Sequence, residues 1–427
     1  MLDDDPVPAM FSRVQAQGFR SLKIVDQSIG PFQALVGPNA SGKTTFLDVV
    51  ELMGDLMRRR GDVGETVSAR SSDFRKLVWL GEGDRFRLAV EAPIPKDVRE
   101  RVSDEYRHLP IARYEIEIAM DRETNELGLD HEILWMKPSA IAVSGQQRDL
   151  FPDATRTSSE IFEKGGGRRM LVTKKQGGND NYYPHGAKSF TPSFRTGRRR
   201  AALANVPADE DVFPVSSWFR DLLERSIQNI QLDAQAIRQP SPPGLGTRFQ
   251  TDGSNLPWVV ESLSRNEQRF REWIAHVRTA LEDIRDIRSI ERPEDRHRYL
   301  VVEYENGALV PSWLLSDGSL RLLALTILAY VEGNDGVMLI EEPENGIHPK
   351  AIETVMQSLG SVYGSQVLIA THSPVALNML EAKDILCFAK DQAGATDIVS
   401  GDDHPRLRRW QLGEPDLGVL FASGILS

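Results

Sequence analysis

The residues most able to do chemistry form one short string, Gly37-Pro38-Asn39-Ala40-Ser41-Gly42-Lys43-Thr44, followed by Thr45. Glycines at both ends let the backbone curl so that several N–H groups converge on phosphate oxygens. Lys43 can reach the β- and γ-phosphates, and the Thr44 hydroxyl can ligate Mg²⁺. A second pair of candidates, Glu341 and Glu342, ends the apolar run Val337–Ile340. The first carboxylate can hold Mg²⁺ through its water shell, and the second can orient or deprotonate the water that attacks the γ-phosphate. Two glutamates after an apolar run are ordinary solvated charges when alone. Beside a phosphate loop they read as catalytic.

Two further groups fit the same chemistry. Ser316-Asp317-Gly318 opens the apolar stretch Leu320–Leu325. A Ser and a Gly at a helix start offer N–H donors and a favourable dipole to an anion, although such a serine can equally be a plain N-cap. Thr371-His372-Ser373-Pro374 follows the apolar run Gln366–Ala370, where a neighbouring strand could aim His372 at a γ-phosphate.

The positioning elements are legible around these residues. Phe32–Val36 reads as a strand entering the phosphate loop. Phe46, Val49, Val50, Met53 and Met57 recur at helical spacing behind it, which puts the phosphate at a helix N-terminus. Val14–Ile29 and Phe86–Val90 read as extended, and the alternation in Arg113–Met120 and Gly128–Met136 predicts paired strands. Helical patterning covers Trp218, Phe219, Leu222, Ile227 and Ile230, and again Phe270, Ile274, Val277, Leu281 and Ile284. The second set is too short for a long coiled-coil arm. Asn306-Gly307 between Leu300–Tyr304 and Ala308–Val310 predicts a hairpin with a type I′ turn. The expected fold class is α/β.

The order of phosphate loop, Leu315–Ser319, Val337–Glu342 and Thr371–His372 resembles that of Walker A, signature, Walker B and switch histidine in ABC-type ATPases. The spellings Leu315-Ser-Asp-Gly318, Ile340-Glu-Glu-Pro-Glu-Asn-Gly-Ile-His-Pro349 and Thr371-His-Ser-Pro374 resemble the SMC-like and OLD-like AAA ATPases of prokaryotes. Phe19-Arg20-Ser21, Thr251–Pro257 and the tail Leu417–Leu426 are similar to that group as well. The resemblance implies an ABC/SMC-type ATPase head: a mixed sheet flanked by helices, with a loop-rich inserted subdomain and a helical lobe. It implies ATP and Mg²⁺, with Gly37–Thr45 and Ser316, Asp317 and Gly318 on the nucleotide and Thr44 and Glu341 on the metal. Lys43, Glu342 and His372 become the catalytic set. It also implies that one copy's signature completes another copy's site, in an ATP-linked homodimer or higher oligomer. The effector would be a nuclease or toxin on a separate chain, in anti-phage defence. Three departures bear on rate: Glu341 replaces the usual aspartate, His348 stands at the D-loop acid, and no glutamine occurs between Thr44 and Gln146. ATP hydrolysis is the expectation, and these departures leave room for it to be slow.

Composition sets the outer bounds. A net charge of −11 over 427 residues argues against a protein that coats nucleic acid uniformly. Cys387 is the only cysteine, which excludes an intrachain disulfide and suits a reducing cytosol. The acidic N-terminus is no signal peptide, and the longest apolar run, Leu322–Val331, is too short to span a membrane. The expectation is a cytoplasmic protein. Residues 12–137 and 299–427 read as the two halves of the head, and 138–298 as insertion and helical lobe, of which 138–211 is flexible and basic. Between Lys164 and Arg200 lie ten Lys or Arg against one acid, Asp180, with Tyr182, Tyr183, Phe190 and Phe194 interleaved. That stretch reads as a solvated loop, a nucleic-acid contact or a dock for an acidic protein. Asp402, Asp403, Glu414 and Asp416 read as surface acids, and the residues after Lys390 are too few for a nuclease domain of the OLD kind.

Overall fold

A computed structural model describes residues 10–139, 161–162, 167–185, 190–333 and 335–404. Three sheets organise them. The central one has six strands in the order β10 (Ile227–Ile230), β14 (Gly336–Glu341), β15 (Ser365–Thr371), β3 (Phe32–Val36), β16 (Ile385–Lys390) and β17 (Thr396–Ser400). All neighbours run parallel except β16 and β17. Alternate residues of β14 and β15 enter two different cores. Val337, Leu339, Leu368 and Ala370 face one; Met338, Ile340, Val367 and Ile369 face the other. Burial on both faces is why these strands read as unbroken apolar runs.

The first core lies under helices Lys43–Arg58 and Pro214–Arg225, against an antiparallel sheet of eight strands. Its order is β2 (Leu22–Ser28), β1 (Arg13–Phe19), β4 (Arg85–Pro93), β5 (Ile111–Met120), β6 (Leu127–Lys137), β7 (Arg169–Lys175), β8 (Asp180–Tyr182) and β9 (Ser193–Phe194). The second core is closed by helices Leu256–Ser264, Glu267–Ala280, Asp317–Thr326 and Pro349–Gly360 and by the hairpin sheet β11 (Ile284–Glu291), β12 (Arg298–Tyr304) and β13 (Leu309–Pro311).

Four local expectations need correction. Helix Pro214–Arg225 ends before Ile227, and Ile227–Ile230 is the edge strand β10 instead. Helix Glu267–Ala280 likewise stops short of Ile284, which begins β11. Ile227 shares the first core with helix Pro214–Arg225 while Ile230 faces the second, and Ile284 shares the second core with helix Glu267–Ala280. The β12–β13 connection is not a type I′ turn: Gly307 is left-handed at φ 80°, but Asn306 is not. Tyr304 N–H donates to Ala308 O at 3.0 Å, leaving the three-residue loop Glu305–Gly307. Finally, β7, β8 and β9 fall inside the stretch read as loop-rich. Their alternation is hidden because β7 and β8 bury a charged pair, Lys174 Nζ to Asp180 Oδ1 at 2.5 Å, where apolar residues would be looked for. The tail Leu417–Leu426, Glu414 and Asp416 lie outside the described residues.

Candidate functional site

The central sheet converges three chain segments on one edge. Val36, at the end of β3, pairs with Thr371 of β15, and Ala370 of β15 pairs with Glu341 of β14. The phosphate loop, the two glutamates and His372 therefore emerge side by side beyond the strands' C-terminal ends. In open α/β sheets that edge is where ligands bind.

The loop owes its shape to residues that tolerate unusual backbone. Gly37 has φ 154°, Gly42 109° and Ala40 62°. A Cβ on Gly37 would sit 2.2 Å from the Phe388 carbonyl oxygen, and one on Gly42 2.2 Å from Thr396 Oγ1. Both positions demand glycine by torsion and by space. Thr396 braces the loop from β17: its hydroxyl donates to the Ser41 carbonyl at 2.8 Å and lies 3.0 Å from Ser21 Oγ. Lys43 opens the helix, is nearly buried, and donates to the carbonyls of Gly37 at 2.8 Å and Pro38 at 2.9 Å. Burial brings its ammonium down to about 8, while Glu342, Glu341 and Glu344 pull it upward.

Thr44 Oγ1 donates to Glu341 Oε2 at 2.5 Å, so the hydroxyl and the carboxylate assigned to the metal are in contact. Glu342 is exposed and left-handed at φ 47°, a conformation that costs a side-chain-bearing residue about 1–2 kcal/mol. Its N–H donates to the Ala370 carbonyl at 2.7 Å, so the backbone is held while the carboxylate remains exposed. Glu344 Oε1 accepts from Thr371 Oγ1 at 2.7 Å and from the His372 N–H at 2.9 Å, tying the Walker B loop to the histidine. Burial, then the charge of Lys43, lowers the His372 imidazole below its ordinary value, against Glu342 and Glu344.

Lys43, Thr44, Glu341, Glu342 and His372 line a cavity of about 310 Å³ with Asn39, Ala40, Gly42, Thr45 and Ala370, and with Arg20 and Ser21 from the β1–β2 turn. Arg20 pairs with Asp48 of helix Lys43–Arg58 at 2.9 Å. Gly37, Pro38 and Ser41 serve the cavity from behind, through the carbonyls that hold Lys43 and Thr396. Arg20 and Ser21 were visible in the sequence only as part of Phe19-Arg20-Ser21. Glu344 carried no assigned role there, and Thr396 carried no signal: it reaches the loop from 355 positions away.

Ser316, Asp317 and Gly318 are not among the residues lining this cavity. Ser316 caps helix Asp317–Thr326 by accepting the Ser319 N–H at 3.1 Å, and Asp317 pairs with Arg238. The start of this helix is nevertheless registered to the Walker B loop: a Cβ on Gly318 would lie 2.5 Å from the Gly346 carbonyl oxygen. His348 caps the next helix, its Nδ1 accepting the Lys350 N–H at 3.3 Å.

For Mg²⁺ the donor set fits. A hydroxyl and a carboxylate in contact, beside a phosphate loop, are the hard oxygen ligands this ion takes together with phosphate and water. Thr44 and Glu341 would hold it. Among the described residues there is no cluster of three or more His, Cys, Asp or Glu to claim another metal, and no helix is long and apolar enough to cross a membrane.

Fold and site together define an α/β phosphate-loop ATPase head of the ABC/SMC type. The chain belongs to the family described as "AAA domain, putative AbiEii toxin, Type IV TA system", which it matches over residues 32–378. It is 46% identical over 48 residues to an OLD nuclease of Thermus scotoductus; that match covers 11% of this chain and 9% of the nuclease. Among solved structures it is similar to an Smc head bound to the C-terminal winged-helix domain of ScpA, with a TM-score of 0.51, 13% identity, and 91% and 96% of the two chains covered. The Smc head of Pyrococcus furiosus bound to the C-terminal domain of ScpA gives 0.50, 12%, 95% and 98%. At such identities the likeness carries the fold alone.

Proposed function

We propose that the chain hydrolyses ATP to ADP and phosphate at a site completed by the signature of a second copy, and that the ATP-bound dimer controls an effector on a separate chain. The observation that carries this reading is the cavity in which Lys43, Thr44, Glu341, Glu342 and His372 meet. Lys43 and the loop N–H groups bind the β- and γ-phosphates. Thr44 and Glu341 would hold Mg²⁺, which would neutralise charge on the phosphates. Glu342 orients the water and takes its proton as oxygen attacks phosphorus and the bond to the β-phosphate oxygen breaks. His372, whose backbone N–H is held by Glu344, donates from its imidazole toward the γ-phosphate. Ser316 and Gly318 would act in trans, which is consistent with their absence from the wall of the same chain's cavity. The effector is read as a nuclease or toxin of anti-phage defence, in a cytosolic setting, on the strength of the family description and the OLD nuclease relative.

Glu342→Gln separates binding from turnover. The variant should bind ATP and accumulate as an ATP-dependent dimer by light scattering, with phosphate release slowed by about 10²- to 10⁴-fold. Wild-type turnover in that variant would end the mechanism.

A further inference from the structure

Two arginine triplets that are far apart in sequence, Arg58–Arg60 and Arg198–Arg200, meet in the fold. Asp62 and Arg200 form an isolated antiparallel bridge. The Val63 N–H donates to the Arg199 carbonyl at 3.1 Å, the Ala201 N–H to the Gly61 carbonyl at 2.9 Å, and Arg200 Nη1 to the Arg60 carbonyl at 3.2 Å. The triplets are not equally occupied. Arg58 is engaged by Asp55 at 2.8 Å, and Arg198 by Asp130 at 2.6 Å with Asp121 at 3.5 Å. Arg60, Arg195 and Arg199 are exposed and make no ion pair among the described residues, and Arg200 reaches Asp62 only at 3.7 Å.

The strip leading into this patch is anchored. The Thr196 N–H donates to Asp180 Oδ2 at 3.1 Å, and Arg198 is clamped by Asp130, so the intervening side chains project from a held backbone. On its other flank Phe194, 55% exposed, ends the eight-stranded sheet with its ring 6.0 Å from that of Tyr182, and Phe190 is 85% exposed. Exposed phenyl groups at Phe190 and Phe194, in the same chain segment as arginines that make no ion pair among the described residues, match one ligand chemistry. Guanidinium takes phosphate through paired N–H groups, and aromatic faces stack on unpaired bases. An acidic peptide would satisfy the arginines and leave the phenyl faces without a partner.

We propose that Arg60, Arg195, Arg199 and Arg200, with Phe190 and Phe194, form a binding surface for single-stranded nucleic acid. The surface lies apart from the residues lining the nucleotide cavity and stands whether or not the chain hydrolyses ATP. Its local positive charge coexists with a chain of net charge −11 because the nearby acids are committed: Asp130 and Asp121 to Arg198, Asp180 to Lys174 and Thr196, Asp62 to the Val63–Ser68 helix cap.

The test is fluorescence anisotropy of the full chain with a labelled mixed-sequence DNA strand, its duplex, and polyglutamate, across a salt series. Wild type should bind the strand more tightly than the duplex and polyglutamate only weakly. Replacing Arg195, Arg199 and Arg200 together with glutamine should lower the slope of log affinity against log salt by about 2, since each lost phosphate contact removes roughly 0.7 for a single strand. Phe194→Ala should weaken strand binding by about 5- to 150-fold with the salt slope unchanged. Arg60→Gln, on the other chain segment, should lower the slope by about 0.7. Equal affinity for polyglutamate would overturn the proposal in favour of an acidic protein. So would a triple variant that melts like wild type and binds the strand unchanged; should the triple variant not fold, wild-type binding by Phe194→Ala and Arg60→Gln would overturn it.

Discussion

The two large sheets put charge to opposite uses. In the six-stranded, mainly parallel sheet the buried side chains are uncharged on both faces, and the functional groups wait at one edge: Glu341 and Glu342 at the end of β14, His372 after β15 and the phosphate loop after β3. In the eight-stranded sheet charge lies within a face. Arg113 is fully buried and donates to Glu91 at 2.7 Å and Glu115 at 2.6 Å, and Lys137 reaches Glu91 at 2.9 Å. Burial alone would raise the Glu91 carboxyl, yet Arg113, Lys137 and Arg13 hold it below the usual carboxylate value. The comparison teaches where ionisable groups are replaceable. Glu341 and Glu342 at the edge are exposed and should be dispensable for folding, whereas the buried face network should matter for folding and not for chemistry.

Mutation can break this contrast, beginning with the largest effect. Glu342→Gln should cut turnover by about 10²- to 10⁴-fold, the range of a lost general base, with the melting transition in place. Arg113→Met should do the converse. It leaves Glu91 and Glu115 without their buried cation and should cost roughly 3–5 kcal/mol in chemical denaturation, with kcat of the folded fraction unchanged. If Arg113→Met lost turnover at full stability, the division of labour between the sheets would be wrong.

Acidification probes the same side of the molecule. Burial, aided by Arg169, brings His185 down to about 4 from an ordinary 6.5. A histidine depressed by folding contributes stability above its unfolded value and loses it as pH falls toward the folded one. Between pH 7 and pH 5 the protein should therefore lose about 2 kcal/mol at this residue, and His185→Phe should flatten that part of the pH–stability curve. The smallest effect sharpens the contrast from the catalytic edge. Glu342 is left-handed, and asparagine tolerates that region better than glutamate. Glu342→Asn should abolish turnover while raising stability by about 0.5–1 kcal/mol, read by denaturant midpoint.

How much of this was legible in sequence follows the same line. The parallel strands and the edge residues could be read because apolar runs and short motifs are local signals: Phe32–Val36, Val337–Ile340 and Gln366–Ala370 each occupy a strand as expected. What escaped depended on distant partners. Ile227 and Ile284 kept a near-helical spacing while belonging to strands, because a strand and a helix packing on one core can supply the same apolar residues. Strands β7 and β8 were masked by the buried Lys174–Asp180 pair. Thr396 bracing Ser41, Glu344 holding the His372 N–H and the meeting of Arg60 with Arg200 are tertiary events with no local pattern.

The central claim is a site made of two half-sites from different copies, and mixing two inactive variants tests it most directly. Lys43→Ala removes the phosphate half and leaves the Ser316 region intact; Ser316→Arg does the reverse. Each alone should be inactive. Mixed in equal amounts and allowed to exchange, half of the dimers are heterodimers carrying one intact composite site of two, so ATP hydrolysis should return to about a quarter of the wild-type rate. A mixture as inactive as either variant alone would contradict the account.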